Sequence, residues 1–239
     1  MLFSLLAGGD LRQALISILL SLPVILIALS SHEAAHAYMA YKMGDRTAYN
    51  LGRMTINPLK HLDPIGSLCM LVFGYGWAKP VPINARNFRN PKRGMALTAI
   101  AGPITNLLLG VISAILYAVT LFLYNRFAIE IVQNELTSNI MSVLLTFFYL
   151  GGMMNLILAV FNLIPLPPFD GSRFFSLFLP TKWYFAIMKY ERYSMLIILG
   201  ISLLCSRLFN FSPFAWVAEL IFDNVAGPIL QLLVKAFML

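Results

Sequence analysis

The stretch SHEAAH at residues 31–36 carries the pattern H-E-x-x-H at the end of a long apolar run. His32 and His36 are four residues apart, so on a helix they would project from one face and could bind one metal ion between them. Glu33 would reach that ion only through a water molecule, which is the position of a general base in metal-assisted hydrolysis. Residues 13–31 carry no charge, so the pattern predicts a site within a membrane or at its edge. The alternatives are a chance match, or two histidines that bond to neighbouring helices.

Composition indicates an integral membrane protein. The chain has 239 residues, of which 59% are hydrophobic and 11% are charged, and its mean hydropathy is +0.79. A soluble domain carries roughly 25% charged residues. We therefore predict an all-α integral membrane protein, a bundle of about four to six transmembrane helices. We interpret residues 1–239 as one membrane-embedded domain, with a core at about 14–175 and C-terminal helices at about 190–239.

The net charge of +7 has two possible meanings. In a soluble protein it would suggest nucleic acid as a partner, but in a membrane protein it reflects cytosolic loops rich in Lys and Arg. We therefore expect a lipid bilayer around the chain and no nucleic acid. The two cysteines, Cys69 and Cys205, lie in apolar surroundings, and their spacing suggests neither a metal site nor a disulfide framework.

Three apolar stretches have the length of a membrane span, which needs about 20 residues. They cover residues 14–41, 94–125 and 136–164, and the H-E-x-x-H pattern falls in the last third of the first stretch. Further apolar runs follow residue 192, and they leave the total number of spans open.

A shorter segment at about 64–84 is predicted to be first re-entrant and then extended. Residues 64–78 are apolar and rich in glycine, but they are too few for a full span. The stretch WAKPVPIN at 77–84 contains Pro80 and Pro82, and prolines exclude helix and favour an edge strand. We therefore expect a short β-like segment in an otherwise helical protein.

Two histidines need a further protein ligand, because a catalytic zinc typically takes three and keeps one position for water. Asp170 is the favoured candidate. It follows the third apolar stretch in a proline-rich break, and Gly171 would let the chain turn sharply beside a metal. His61 is the alternative, although its loop would have to fold back onto the first helix.

The distribution of charge supports Asp170. Residues 42–93 hold nine of the seventeen Lys and Arg residues, so the positive-inside rule places this loop in the cytosol. If residues 64–78 are re-entrant, the second span leaves the cytosolic side and the third returns to it. Asp170 then emerges at the membrane depth of His32 and His36. The site would lie towards the cytosol in a multi-pass protein of the cell membrane.

These motifs resemble those of a known family. The chain resembles the site-2 proteases, which are intramembrane zinc metalloproteases, and among them the compact bacterial and archaeal type without a PDZ or CBS domain. The matching elements are H-E-x-x-H at 32–36, A-G-P-x-x-N at 101–106 and N-x-x-P-x-P-x-x-D-G at 162–171. The resemblance extends over about residues 14–175.

The resemblance implies one zinc ion per chain, bound by His32, His36 and Asp170, with Glu33 as the catalytic base. It implies a metalloendopeptidase of regulated intramembrane proteolysis that hydrolyses peptide bonds in or near transmembrane segments. The substrate would be a transmembrane protein or peptide.

Substrate contacts are expected at two places. The resemblance implies that the extended stretch, with Trp77, Pro80 and Asn84, pairs with a substrate that has unwound, since a helix hides its peptide bonds. Asn106 could donate a hydrogen bond to the oxyanion, or could bond only between helices.

Two other classes of function remain open from the residues alone. An ion transporter would use the same side chains to bind a travelling ion, but it would need a polar path, and the second and third spans offer few ionisable groups. A non-catalytic scaffold would keep the metal ion only to hold its helices together, but such a structural site has no need of a general base at Glu33.

Overall fold

A computed structural model of the chain describes residues 11–66, 78–178, 180, 200, 204–205, 208 and 213–237. The α-helices whose full extent lies in these ranges, numbered in chain order, are α1 (Leu11–Met43), α2 (Thr47–Asn50), α3 (Pro91–Arg126), α4 (Ala128–Gln133), α5 (Glu135–Asn162), α6 (Asp170–Phe175) and α7 (Pro213–Phe237). Two short 3-10 helices cover Pro58–Lys60 and Ala85–Asn87.

Four helices of the described part are long and apolar enough to cross a membrane. They are Leu19–Met43 within α1, all of α3, all of α5, and Trp216–Ala236 within α7. The predicted helical membrane bundle is therefore confirmed, and helices α1, α3 and α5 begin and end within three residues of the three predicted apolar stretches. Large apolar side chains such as Leu108 and Ile140 are exposed on the helix surfaces, as contact with lipid hydrocarbon requires.

Helix α3 is central and packs against α1, α5 and α7. Small residues allow close approach: Gly110 of α3 lies against Leu156 of α5, and Gly152 of α5 lies against Phe222 of α7. A Cβ atom at Gly110 would lie only 2.7 Å from the Leu156 side chain. Such van der Waals packing holds helices together in a bilayer, where the hydrophobic effect cannot.

The chain leaves its helical path between α5 and α6, as the proline-rich sequence predicts. Residues 163–169 form turns, and Asp170 begins α6. Gly171 fits this turn because a Cβ atom there would overlap the backbone carbonyl groups of Leu163 and Ile164. The turn brings the Asp170 carboxylate back to the histidines of α1.

Residues 79–84, which contain the two prolines, are non-helical as predicted, and Asn84 at their end has an extended backbone; we call residues 78–84 the extended segment. An isolated antiparallel bridge joins Leu62 to Ala78 at the start of this segment. Trp77 and most of the predicted re-entrant part lie outside the described residues. In the described part, the predicted β-like character is limited to this single bridge, and the exclusion of helix by the prolines is confirmed.

Two buried charged side chains, one on each side of the short helix α2, hold the extended segment. Arg53 donates from Nη2 to the carbonyl oxygens of Lys79 at 2.5 Å and Pro80 at 3.4 Å. Asp45 is fully buried and accepts a hydrogen bond from the backbone N–H of Asn84 at 2.7 Å. Burial by itself would raise the pKa of Asp45, but the hydrogen bonds that it accepts outweigh this effect and lower the pKa. Both ends of the segment are therefore anchored to the residues that flank α2.

Candidate metal centre

Three side-chain atoms from distant parts of the sequence converge between α1 and α6. The Nε2 atoms of His32 and His36 are 3.0 Å apart, and Asp170 Oδ2 lies 3.0 Å from the first and 3.1 Å from the second. Both histidines are buried, with exposed fractions of 5% and 6%, and Asp170 is half-buried. Among the described residues, this is the one group of three His, Cys, Asp or Glu side chains with metal-binding geometry.

The second ring nitrogen of each histidine is held by an acceptor. His36 Nδ1 lies 2.7 Å from the backbone oxygen of Thr98, which can only accept, so this nitrogen carries the hydrogen. His32 Nδ1 lies 2.5 Å from Asn106 Oδ1. The amide of Asn106 is oriented by its Nδ2 group, which donates to Ala28 O at 3.1 Å and to Asn155 Oδ1 at 2.8 Å. Both histidines therefore direct the lone pair of Nε2 into the centre.

The centre is suited to a cation. Two Nε2 lone pairs and a carboxylate oxygen meet there, and none of the three can donate to the others while both Nδ1 atoms carry the hydrogens. On a tetrahedral zinc ion with bonds of about 2.0–2.1 Å, ligand atoms lie about 3.3 Å apart. The three separations in this chain are close to that value, and two imidazoles with one carboxylate are a common zinc ligand set.

Helix α3 forms one wall of the centre at Gly102. A Cβ atom on this residue would lie 2.6 Å from His36 Nε2 and 2.7 Å from His32 Nε2. Such distances are well inside van der Waals contact, so a side chain here would occupy the space between the ligand atoms. The absence of a side chain at Gly102 leaves that space open.

Glu33 lies beside the centre and contacts the extended segment. Its side chain is half-buried, and Oε2 accepts a hydrogen bond of 2.9 Å from the backbone N–H of Val81. The predicted base is thus next to the stretch that was expected to bind substrate. Pro80, one of the predicted substrate contacts, directly precedes Val81 and is exposed.

The remaining predicted site residues lie outside the converging group. His61, the alternative ligand, is buried, and its Nε2 donates to Thr55 O at 2.7 Å. Asn84 is exposed, and its side chain accepts from the backbone N–H of Arg86. Asn106 contacts His32, and both hydrogens of its amide are already donated within the bundle. This leaves Asn106 no free donor for an oxyanion.

Sequence reasoning did not single out Asn155, Thr98 or Arg53. Thr98 acts through its backbone oxygen, which no side-chain motif can reveal. Arg53 is one of several basic loop residues until the fold buries it. Asn155 had a detectable signal, because an amide in an otherwise uncharged span needs hydrogen-bond partners.

Comparisons with known proteins agree with this geometry. The family model described as peptidase family M50 matches residues 20–205. The candidate zinc metalloprotease YwhC of Bacillus subtilis is 40% identical over 175 residues, which cover 73% of this chain and 76% of the relative. The candidate zinc metalloprotease Rip2 of Mycolicibacterium smegmatis is 32% identical over 92 residues, which cover 36% of this chain and 35% of Rip2. No solved structure matches the chain significantly. Because the family match covers most of the sequence and the metal-binding geometry is present, this chain belongs to peptidase family M50, the site-2 protease family.

Proposed function

We propose that His32, His36 and Asp170 bind the zinc ion of this intramembrane metalloprotease and that Glu33 is its general base. The observation that carries the proposal is the convergence of three lone-pair atoms within 3.1 Å of one another. The protein is a multi-pass membrane hydrolase of a zinc protease family, and we propose that it cuts peptide bonds in or near transmembrane segments. Family membership gives no support to the transporter or scaffold alternatives.

The zinc ion and the side chains of the protein would have different roles in peptide hydrolysis. A zinc ion held by these ligands would act as a Lewis acid and would lower the pKa of a water molecule towards 7. Glu33 would accept a proton from the attacking water and deliver it to the leaving amine. Thr98 and Asn106 hold the histidine rings in the orientation that metal binding needs.

The extended segment is our candidate for the substrate-binding strand. Within the described ranges, the carbonyl group of Val81 and the backbone N–H and C=O of Ile83 make no hydrogen bond. These groups belong to Val81, whose N–H contacts Glu33, and to Ile83, two residues further along the segment. A substrate strand added here would offset the cost of unwinding and would bring its peptide bond to the base. Pro80 and Asn84 border this edge, and the roles of these two residues and of Trp77 stay predictions.

Charge supports an active site on the cytosolic side. The end of α1, the 3-10 helix at Ala85–Asn87 and the start of α3 carry exposed basic side chains, and the backbone N–H of Arg89 donates to Met43 O. These basic ends therefore lie together at one end of the bundle, and the positive-inside rule assigns that end to the cytosol. The exposed residues are Lys42, Arg46, Arg86, Arg89, Lys92 and Arg93.

Replacing Asp170 by Ala tests the ligand assignment. We expect Asp170→Ala to lose bound zinc and peptide cleavage together, because two histidines alone leave the ion short of a protein ligand. Zinc per chain is measured on detergent-purified protein by elemental analysis, alongside cleavage of a transmembrane peptide with and without chelator. Asp223→Ala, an exposed position on α7, is the matched control and should keep both. If Asp170→Ala bound zinc normally and His61→Ala lost it, the third ligand would be His61 and not Asp170.

Cross-linking tests the substrate-binding strand. In a Glu33→Gln background with Cys69 and Cys205 replaced by Ser, Ile83→Cys should form a disulfide with a cysteine near the scissile bond of a substrate. The inactive background keeps the substrate intact while the two strands are paired. Ile129→Cys, exposed on α4, should give no cross-link. Equal yields at the two positions would reject the strand assignment.

A further inference from the structure

We propose that Asn155 is a positioning residue for the metal centre, acting through Asn106 on His32. The inference rests on the proposed function, since it concerns the ligand role of His32. Helix α5 supplies no metal ligand. By this inference it nevertheless determines which ring nitrogen of His32, on α1, carries the hydrogen.

A continuous chain of hydrogen bonds carries the inference. Asn155 Nδ2 donates to the backbone oxygen of Gly151 at 2.8 Å, one turn earlier on α5. Its Oδ1 accepts from Asn106 Nδ2 at 2.8 Å, and Asn106 Oδ1 faces His32 Nδ1. The chain is shielded from solvent, because Asn106 is fully buried and Asn155 is 4% exposed. The backbone of α5 thereby orients two amides in sequence.

The orientation of the Asn106 amide decides the chemistry of His32. With Oδ1 towards the ring, His32 carries its hydrogen on Nδ1 and offers the lone pair of Nε2 to a metal. If the amide turned over, its N–H group would face the ring. The ring would then keep its lone pair on Nδ1 and its hydrogen on Nε2, and this tautomer cannot bind a metal through Nε2.

Two acceptors hold the amide in the productive orientation. They are the backbone oxygen of Ala28 and Oδ1 of Asn155, and each takes one hydrogen of Asn106 Nδ2. Removing Asn155 leaves one of these hydrogens buried without an acceptor, which reduces the preference for the productive orientation. The preference is weakened rather than lost, because the Ala28 acceptor remains.

The natural alternative is that Asn155 only joins α3 to α5. Interhelical hydrogen bonds between amides are common in membrane bundles and contribute modestly to their stability. A purely structural role would change unfolding but not the intrinsic affinity for zinc. Any loss of zinc that followed from a loosened fold would add to the loss in Asn106→Leu, whereas a positioning role would not, so the two roles differ in a double-mutant cycle.

The experiment measures zinc affinity by chelator competition on full-length protein in detergent. We expect Asn106→Leu to weaken zinc binding by about 10- to 100-fold, the scale for groups that orient a metal-bound histidine. Asn155→Leu should weaken it by a smaller factor of about 3- to 10-fold, and it should add nothing in the Asn106→Leu background. Replacing zinc by Co²⁺ gives a visible spectrum whose change in Asn155→Leu would report altered ligation.

Matched variants keep the test decisive. Asn224→Leu removes an asparagine with the same type of bond to the preceding turn, here to Leu220 O at an exposed position of α7, and should bind zinc normally. If Asn155→Leu does not fold, Asn155→Thr can replace it, because threonine can bond back to Gly151 but is too short to reach Asn106. Wild-type affinity in both Asn155 variants, or a full additive loss in the double mutant, would overturn the inference. Either result leaves the zinc ligands of the wild-type protein, tested separately with Asp170→Ala, unaffected.

Discussion

Glu33→Gln is expected to keep zinc at the wild-type stoichiometry while cleavage of a transmembrane peptide falls by about 10²-fold or more. Glutamine retains the size of the side chain and an acceptor oxygen, so the hydrogen bond from the Val81 N–H can persist. It has no basicity in the working pH range and cannot take a proton from water. The loss should therefore appear in kcat, since the ligands and the extended segment remain in place.

The measurement pairs zinc per chain with cleavage by wild type and variant. Glu219→Gln makes the same change at an exposed position on α7 and should retain full activity. Full peptidase activity in Glu33→Gln would contradict the base assignment. Loss of zinc in the same variant would instead assign Glu33 to metal binding.

Gly102→Ala is expected to abolish zinc binding, and with it activity, although no ligand is changed. The added methyl group would lie 2.6 Å from His36 Nε2 and 2.7 Å from His32 Nε2, so it would fill the space in which these atoms bind the ion. We expect zinc affinity to fall by more than the roughly 10- to 100-fold that follows from disturbing a group outside the ligand set.

A second glycine provides the control for this variant. Gly227 is also within a helix, α7, but a Cβ atom there would meet nothing within 4 Å. Gly227→Ala should therefore bind zinc normally and could gain slightly in helix stability. Helix content is compared by circular dichroism so that loss of zinc is separated from loss of fold. Tight, stoichiometric zinc in Gly102→Ala would show that α3 does not form the wall of the centre.

The sequence by itself determined the membrane class and most of the candidate site. Long uncharged runs can only be satisfied as helices in a bilayer, so the first three spans follow directly from composition. The spacing of His32 and His36 is a property of one helix and needs no tertiary information. Asp170 could be predicted because topology restricts which side of the membrane each loop reaches.

Only the tertiary structure decided which atoms orient the site. The backbone oxygens of Thr98 and Ala28 have no sequence signature, and Asn155 acts across two helix contacts from the metal ligands. Asn106 illustrates the limit: its motif is visible in the sequence, but only packing shows that both of its N–H hydrogens are already donated. Gly102 was one position of that motif, and its role became visible when α3 was packed against the histidines. Contacts between helices depend on packing and rotation, which local sequence patterns do not specify.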